Sequence, residues 1–253
     1  MATSTEFTSS QGHRLAALID APEGEPRAYA LFAHCFTCNK DLPIAGRIGR
    51  ELSREGIALV RFDFPGLGKS EGRFVDSTFS TNVDDLLAVS EQMSRTLGPP
   101  KLMIGHSFGG PTAIVAASQL DTVSAVAVVG APFSPEHVSH FYSGSEFADE
   151  GAVSIDVAGR KFEISREFAQ DVSTHRMEET IRSLGRPLAI FHSPVDQIVG
   201  IENAAQIFSA ALHPKSFVSL DRADHLVSDP ETTAYLGHVL SAWAQYYVEN
   251  GAT

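Results

Sequence analysis

The chain has 253 residues, 43% of them hydrophobic, enough for one sizeable buried core and with no need of a second domain. Its formal net charge of −12 argues against a nucleic-acid partner, which would want clustered Lys and Arg, and against an anionic membrane surface. No apolar run reaches the roughly 18 residues of a membrane span, and the start Met1-Ala2-Thr3-Ser4-Thr5-Glu6 lacks the basic-then-apolar pattern of a secretion signal, so a cytoplasmic location is expected.

Two strands are expected first, Glu6–Ser9 and Arg14–Asp20, turned at Gln11-Gly12. Strands and helices then alternate: strand Tyr29–Ala33, helix Ile44–Glu55 closed by Gly56, strand Ile57–Phe62, and helix Asn82–Leu97 ended by Gly98-Pro99-Pro100. Strand Lys101–Gly105, helix Phe108–Gln119 and strand Ala125–Val129 follow. The strands read as continuous apolar runs, which predicts a mostly parallel sheet covered on both faces. Between Ala131 and Arg186 the rhythm breaks at Pro132, Pro135, several aromatics and the alternating Val153–Val157. Residues 131–186 are therefore expected to form a cap inserted into a single domain spanning 1–253, since insertions above the strand ends cover the ligand crevice of such sheets. The pattern resumes with strand Leu188–His192, helix Glu202–Ala211, strand Ser216–Leu220 and a last helix around Glu231–Tyr247.

The stretch Lys101–Gly110 carries the chemistry. An apolar strand runs into Gly105-His106-Ser107-Phe108-Gly109 and on into a small-residue helix. In such a strand–elbow–helix turn the central residue is held in a strained backbone conformation with its side chain exposed, and the flanking glycines let strand and helix approach. That makes Ser107 a candidate nucleophile. A serine hydroxyl needs a base to take its proton and a third group to orient that base. His225 lies in the loop between a strand and the last helix, and Asp196 follows strand Leu188–His192 through Ser193-Pro194-Val195. Both belong at the sheet edge where Ser107 sits. Asp221 and Asp224 are weaker candidates for the acid, one suited to capping the turn and the other adjacent to His225.

A tetrahedral intermediate also needs two amide donors. Phe108 N–H follows the elbow directly, and Phe36 N–H is chosen from the loop His34-Cys35-Phe36-Thr37-Cys38. His106 is expected to pack or hydrogen-bond within the elbow, and His34 and His192 to be structural. His137, His140, His175 and His213 show no metal-ligand spacing, so no metal or cofactor is called for. Phe133, Phe141, Tyr142 and Cys35 are the candidate substrate contacts, although cap aromatics such as these and Phe147 equally serve as the cap's own core. The Cys35-x-x-Cys38 spacing permits a redox pair, but it precedes Asn39-Lys40-Asp41-Leu42-Pro43 rather than opening a helix, which favours two small thiols packing a loop. With only these two cysteines no disulfide framework is available. Gly68-Lys69-Ser70 lacks the leading glycine of a phosphate loop, whose place Asp63 takes.

Four segments in order, Asp63–Ser70, Gly105–Gly109, Ser193–Asp196 and Ala223–His225, make the whole chain resemble an α/β-hydrolase. That resemblance implies a mostly parallel, doubly wound sheet with an antiparallel N-terminal strand and an inserted cap. Ala33–Asp41, Gly130–Phe133 and His213–Phe217 more narrowly resemble the hydrolase half of bacterial fusions with an OsmC-like domain. The narrower resemblance implies a serine esterase for small or aromatic acyl esters, with an OsmC-like domain as a partner in a longer chain. This sequence ends at Thr253 without one and reads as either a stand-alone relative or one domain of a longer protein. Where many relatives have His-Gly in the oxyanion loop, this chain has His34-Cys35. Acyl transfer, peptide cleavage or a cofactorless peroxidase-type reaction on the same triad are the enzymatic alternatives. A non-catalytic binding or scaffolding role is the other, and an exposed apolar cap face would support a homodimer.

Overall fold

The computed structural model describes residues 2–145, 147 and 151–250. Ten strands and seven α-helices are present among them: β1 (Ala2–Thr8), β2 (Arg14–Asp20), β3 (Ala28–Ala33), α1 (Pro43–Arg54), β4 (Ile57–Phe62), α2 (Phe79–Thr96), β5 (Pro100–His106), α3 (Gly109–Ala117) and β6 (Ala125–Val129). After these come β7 (Ala152–Val157), β8 (Arg160–Ser165), α4 (Arg166–Asp171), α5 (Met177–Ser183), β9 (Leu188–His192), α6 (Glu202–Ala210), β10 (Lys215–Ser219) and α7 (Pro230–Asn250).

Eight strands form one sheet in the order β1-β2-β4-β3-β5-β6-β9-β10, with antiparallel pairing where β2 meets β1 and β4 and parallel pairing from β4 onward. Apolar residues on the two faces of each central strand go to different cores. Leu31, Val126, Val128 and Ile190 pack beneath Leu86 and Met93 of α2 and Ile114 of α3. Ala30, Phe32, Ala127 and Phe191 pack beneath Ile48 and Leu52 of α1 and Leu236 and Leu240 of α7. Continuous apolar runs are thus what a sheet covered on both sides requires. Among the described residues no helix is long and apolar enough to cross a membrane.

Several boundaries differ from expectation for identifiable reasons. The strand β1 begins at Ala2, four residues before Glu6, because its exposed polar start pairs with β2 through the backbone alone, Ala2 opposite Asp20. Helix α2 begins at Phe79, not Asn82: Thr78 and Thr81 close a reciprocal capping box in which a threonine takes the place usually held by Glu or Gln. Helix α3 starts at Gly109, one residue after Phe108.

Between β6 and β9 the chain forms a 3-10 turn over Pro135–Phe141, the antiparallel hairpin β7–β8, and helices α4 and α5. The alternating Val153–Val157 is the first arm of that hairpin. Ring contact between Phe162 and Phe74 (centroids 5.2 Å apart) seats β8 on the body, and Asp171 receives hydrogen bonds from Ser80 N (2.7 Å) and Ser80 Oγ (2.6 Å). The last helix of the segment, α5, packs on α3 and α6 and so belongs to the layer covering the sheet.

Candidate active site

Ser107 stands at the end of β5 with φ of 54°, in the left-handed region that a non-glycine residue adopts only under constraint. Its amide donates to Val129 O (2.9 Å) and its carbonyl accepts from Gly110 N (2.7 Å), so the strain is carried by the neighbouring strand and the first turn of α3. A Cβ on Gly105 would lie 2.1 Å from Gly109 O, and one on Gly109 would lie 2.2 Å from Ala33 O. Only glycine fits at either place. This is the physical reason for the motif's spacing.

The structure brings the three expected side chains together. His225 Nδ1 lies 2.8 Å from Asp196 Oδ2, and His225 Nε2 lies 2.9 Å from Ser107 Oγ. A carboxylate only accepts, so Nδ1 carries the proton and Nε2 is left to accept from the serine hydroxyl. The other Asp196 oxygen accepts from Ile198 N (2.8 Å) and Val199 N (3.0 Å). Burial pushes the Asp196 carboxyl up, but the bonds from His225, Val199 and Ile198 outweigh it and hold the group below its ordinary value, charged. The rival acids are engaged elsewhere: Asp224 Oδ1 accepts from Ser228 N (2.7 Å), and Asp221 accepts from Ser219 Oγ (2.5 Å).

His106 is fully buried where it was expected to pack, but its hydrogen bond leaves the elbow. Its Nε2 reaches across to the backbone carbonyl of His225 (2.9 Å), while Nδ1 has no partner among the described residues. Burial, then the neighbouring His225, push its pKa down to about 4, so the ring is neutral. His34 and His192 are structural. His34 accepts from Phe64 N at Nε2 (3.2 Å) and donates from Nδ1 to Cys35 O (2.8 Å), and His192 Nε2 bonds Val199 O (2.8 Å).

Among the described residues, neither Phe36 N–H nor Phe108 N–H donates to another protein group, and both residues line the cavity that contains Ser107 and His225. The Phe36 ring packs against Phe108 (5.2 Å between centroids), Phe74 (5.4 Å) and Phe168 (5.4 Å), which fixes the loop from the inside. The two cysteines are not free thiols packing a loop: Cys35 and Cys38 are joined in a disulfide with Cα atoms 5.3 Å apart, and Cys38 N donates to Cys35 O (3.1 Å). That ring encloses Phe36, and the spacing alone did not decide between thiols and a bond.

A second brace was not foreseen. Asp63 is fully buried and receives Lys40 N at Oδ1 (2.6 Å) and both Lys40 Nζ (3.1 Å) and Lys69 N (2.8 Å) at Oδ2. Arg61, itself paired with Asp20 (2.7 Å), donates to Lys40 O. Burial works to lower the Lys40 ammonium, and Asp41 and Asp63 outweigh it and hold it above its ordinary value. The run Asn39-Lys40-Asp41 carried no signal of this brace, since nothing local to a lysine there calls for burial; the contact is made only by folding.

The cavity over Ser107 measures about 470 Å³ and is walled mainly by apolar groups, among them Phe36, Leu42, Phe108, Val138, Phe141 and Leu226. Cys35 and Phe141 stand in this wall, whereas Phe133 and Tyr142, expected at the substrate, do not. Phe133 is half-buried against the core with its amide on Asn203 Oδ1 (3.0 Å), and Tyr142 is buried against Phe147 (6.2 Å). Both pack on the core that the inserted segment shares with one face of the sheet. Among the described residues no group of three or more His, Cys, Asp or Glu is arranged to hold a metal ion.

Residues 31–156 match the alpha/beta hydrolase fold family. The esterase domain of a Rhodothermus marinus protein is 45% identical, with a TM-score of 0.83 over 98% of this chain and 99% of that one. Est1E from Butyrivibrio proteoclasticus, solved with ferulic acid bound, gives a TM-score of 0.83 at 20% identity over 97% of this chain and 100% of its own, a likeness of fold. The mitochondrial palmitoyl-protein thioesterase ABHD10 of Mus musculus is 22% identical over 184 residues, 69% of this chain. The chain spans 61% of the length of the curated relatives it matches.

Proposed function

The chain belongs to the α/β-hydrolase family, and on that premise we propose that it hydrolyses carboxylic esters of small or aromatic acyl groups through an acyl-enzyme on Ser107. The observation that carries this reading is the hydrogen-bonded line Asp196–His225–Ser107, opening on a largely apolar cavity of about 470 Å³.

In the first half-reaction Ser107 Oγ attacks the ester carbonyl while His225 Nε2 takes the hydroxyl proton, and Asp196 stabilises the imidazolium that forms. The amides of Phe36 and Phe108 receive the oxyanion, a contribution typically worth 10²–10³ in rate for one donor, as a rough guide. The alcohol leaves with the proton from Nε2. Water, deprotonated by the same nitrogen, then attacks the acyl carbonyl and frees the acid.

Covalent labelling by a fluorophosphonate, mapped to Ser107, together with turnover of a p-nitrophenyl ester series, tests the proposal. Absence of labelling in folded protein, or labelling that survives Ser107→Ala, would overturn it. Thioester cleavage is a second reading on the same groups. Its support is the thioesterase named among the relatives and a wall apolar enough for an acyl chain. Matched oxygen and thiol esters of one acyl group separate the two.

A further inference from the structure

This inference rests on the hydrolase reading and adds the class of ester. The cavity wall contains no carboxylate among the described residues, and Arg160 is its one Arg or Lys. Arg160 opens β8 directly after the hairpin turn Ala158-Gly159, whose residues have φ of 53° and 77°, the mirror-type turn that suits a two-residue β-hairpin. Asp156 Oδ1 accepts from Gly159 N (2.8 Å) and fastens the tip. The guanidinium carbon lies 4.9 Å from the centre of the Phe162 ring, and Phe162 is itself held edge-on to Phe74. One Nη1 faces Thr37 O at 3.5 Å, at the limit of a hydrogen bond. Among the described residues no carboxylate pairs with Arg160, and Thr37 O is its one side-chain hydrogen-bond partner.

A guanidinium laid on a ring face is restrained in the plane in which it binds anions, and its fork of donors matches a carboxylate in bidentate fashion. The cap thus holds a cation beside Thr37, in the wall of the mainly apolar cavity that also contains Ser107. We propose that Arg160 recognises a carboxylate carried by the ester substrate, so that the preferred esters are anionic at the end remote from the scissile bond and apolar between the two. Arg160 is exposed rather than buried, so solvent screens the attraction and the expected discrimination is about tenfold rather than several orders of magnitude.

Matched pairs of esters test this in the whole chain. On the acyl side, mono-p-nitrophenyl adipate and suberate are compared with p-nitrophenyl hexanoate and octanoate. On the alcohol side, the hexanoate of para-hydroxybenzoate is compared with phenyl hexanoate. In one arm kcat/KM should favour the anionic ester by about tenfold, with the preference fading as salt is raised. Arg160→Gln should abolish that ratio and Arg160→Lys retain part of it. Arg166→Gln, on the neighbouring cap arginine that stacks on Phe147 outside the cavity wall, should leave the ratio in place. Equal rates for both members in both arms, or a preference that survives Arg160→Gln, would mean that Arg160 only braces the hairpin on Thr37. If neutral esters turn over and Ser107 is labelled, that result overturns this inference alone. If no ester turns over and Ser107 is unlabelled, the hydrolase reading and this inference fall together.

Discussion

His106 and His225 are 119 residues apart, and the buried Nε2 of the first donates to the backbone carbonyl of the second at 2.9 Å. The ring beside Ser107 thereby holds the loop of the proposed base, with the two imidazoles 5.4 Å apart and tilted by 36°. The hydrogen-bonded pair proposed to react, Ser107 and His225, is thus referenced to one rigid point at the end of β5.

Removing that strut should loosen the base without removing it. His106→Ala should lower kcat by roughly 10- to 100-fold, the scale expected when a reacting group is displaced by about an ångström, with a smaller change in KM. His106→Gln, which keeps an amide donor, should recover part of the loss. A kcat unchanged in a folded His106→Ala protein would show that the contact does not position His225.

Stability should fall on mild acidification. Burial holds His34 and His106 at about 4, against an ordinary value of 6.5, with Asp63 and Lys40 acting on the first and His225 and Asp196 on the second. The unfolded chain therefore binds protons first. Stability from these groups is complete above about pH 6.5 and is lost as pH falls toward 4, by up to roughly 3 kcal/mol for each ring. Urea midpoints measured between pH 7 and pH 4.5 should fall steadily, and the slope should be shallower in His106→Gln. A flat profile would mean that the two rings are not buried as neutral groups.

Asp196→Asn should cost far more in turnover than in folding. The substitution removes the acceptor that fixes the His225 tautomer while keeping the size of the side chain, and kcat should fall by up to about 10⁴. A burst assay with a p-nitrophenyl ester would read the loss in acylation. Retention of wild-type turnover would assign the acid elsewhere.

Reduction of Cys35–Cys38 should act on the oxyanion loop, because the ring it opens encloses Phe36. Treatment with a dithiol, or the paired change Cys35→Ser and Cys38→Ser, should lower kcat by no more than about 10², since the aromatic packing of Phe36 and the Lys40–Asp63 contact remain. Ester kinetics before and after reduction and reoxidation give the answer.

Lys40→Met should be strongly destabilising, by about 3–5 kcal/mol, because it strands the buried Asp63 carboxylate without its cation. Thermal or urea unfolding measures it. Pairing the change with Asp63→Asn should recover part of the loss, whereas two independent, additive losses would show that the residues do not act together.

The features written in consecutive residues were legible before any fold was known. Continuous apolar runs such as Ile57–Phe62 and Ala125–Val129 can be satisfied only inside a sheet covered on both faces, and Gly105 and Gly109 flank Ser107 because no Cβ fits there. The loops carrying Asp196 and His225 follow from the same alternation, which puts both at the edge where the elbow lies. Tertiary structure alone decided how that rim is held and what it faces. Lys40 and Asp63 are 23 residues apart, Arg160 and Thr37 are 123 apart, and Phe133 and Tyr142 pack on the core instead of lining the cavity. Such contacts depend on which surfaces the packed layers bring within a few ångströms, and a residue's neighbours in the chain carry no record of that distance.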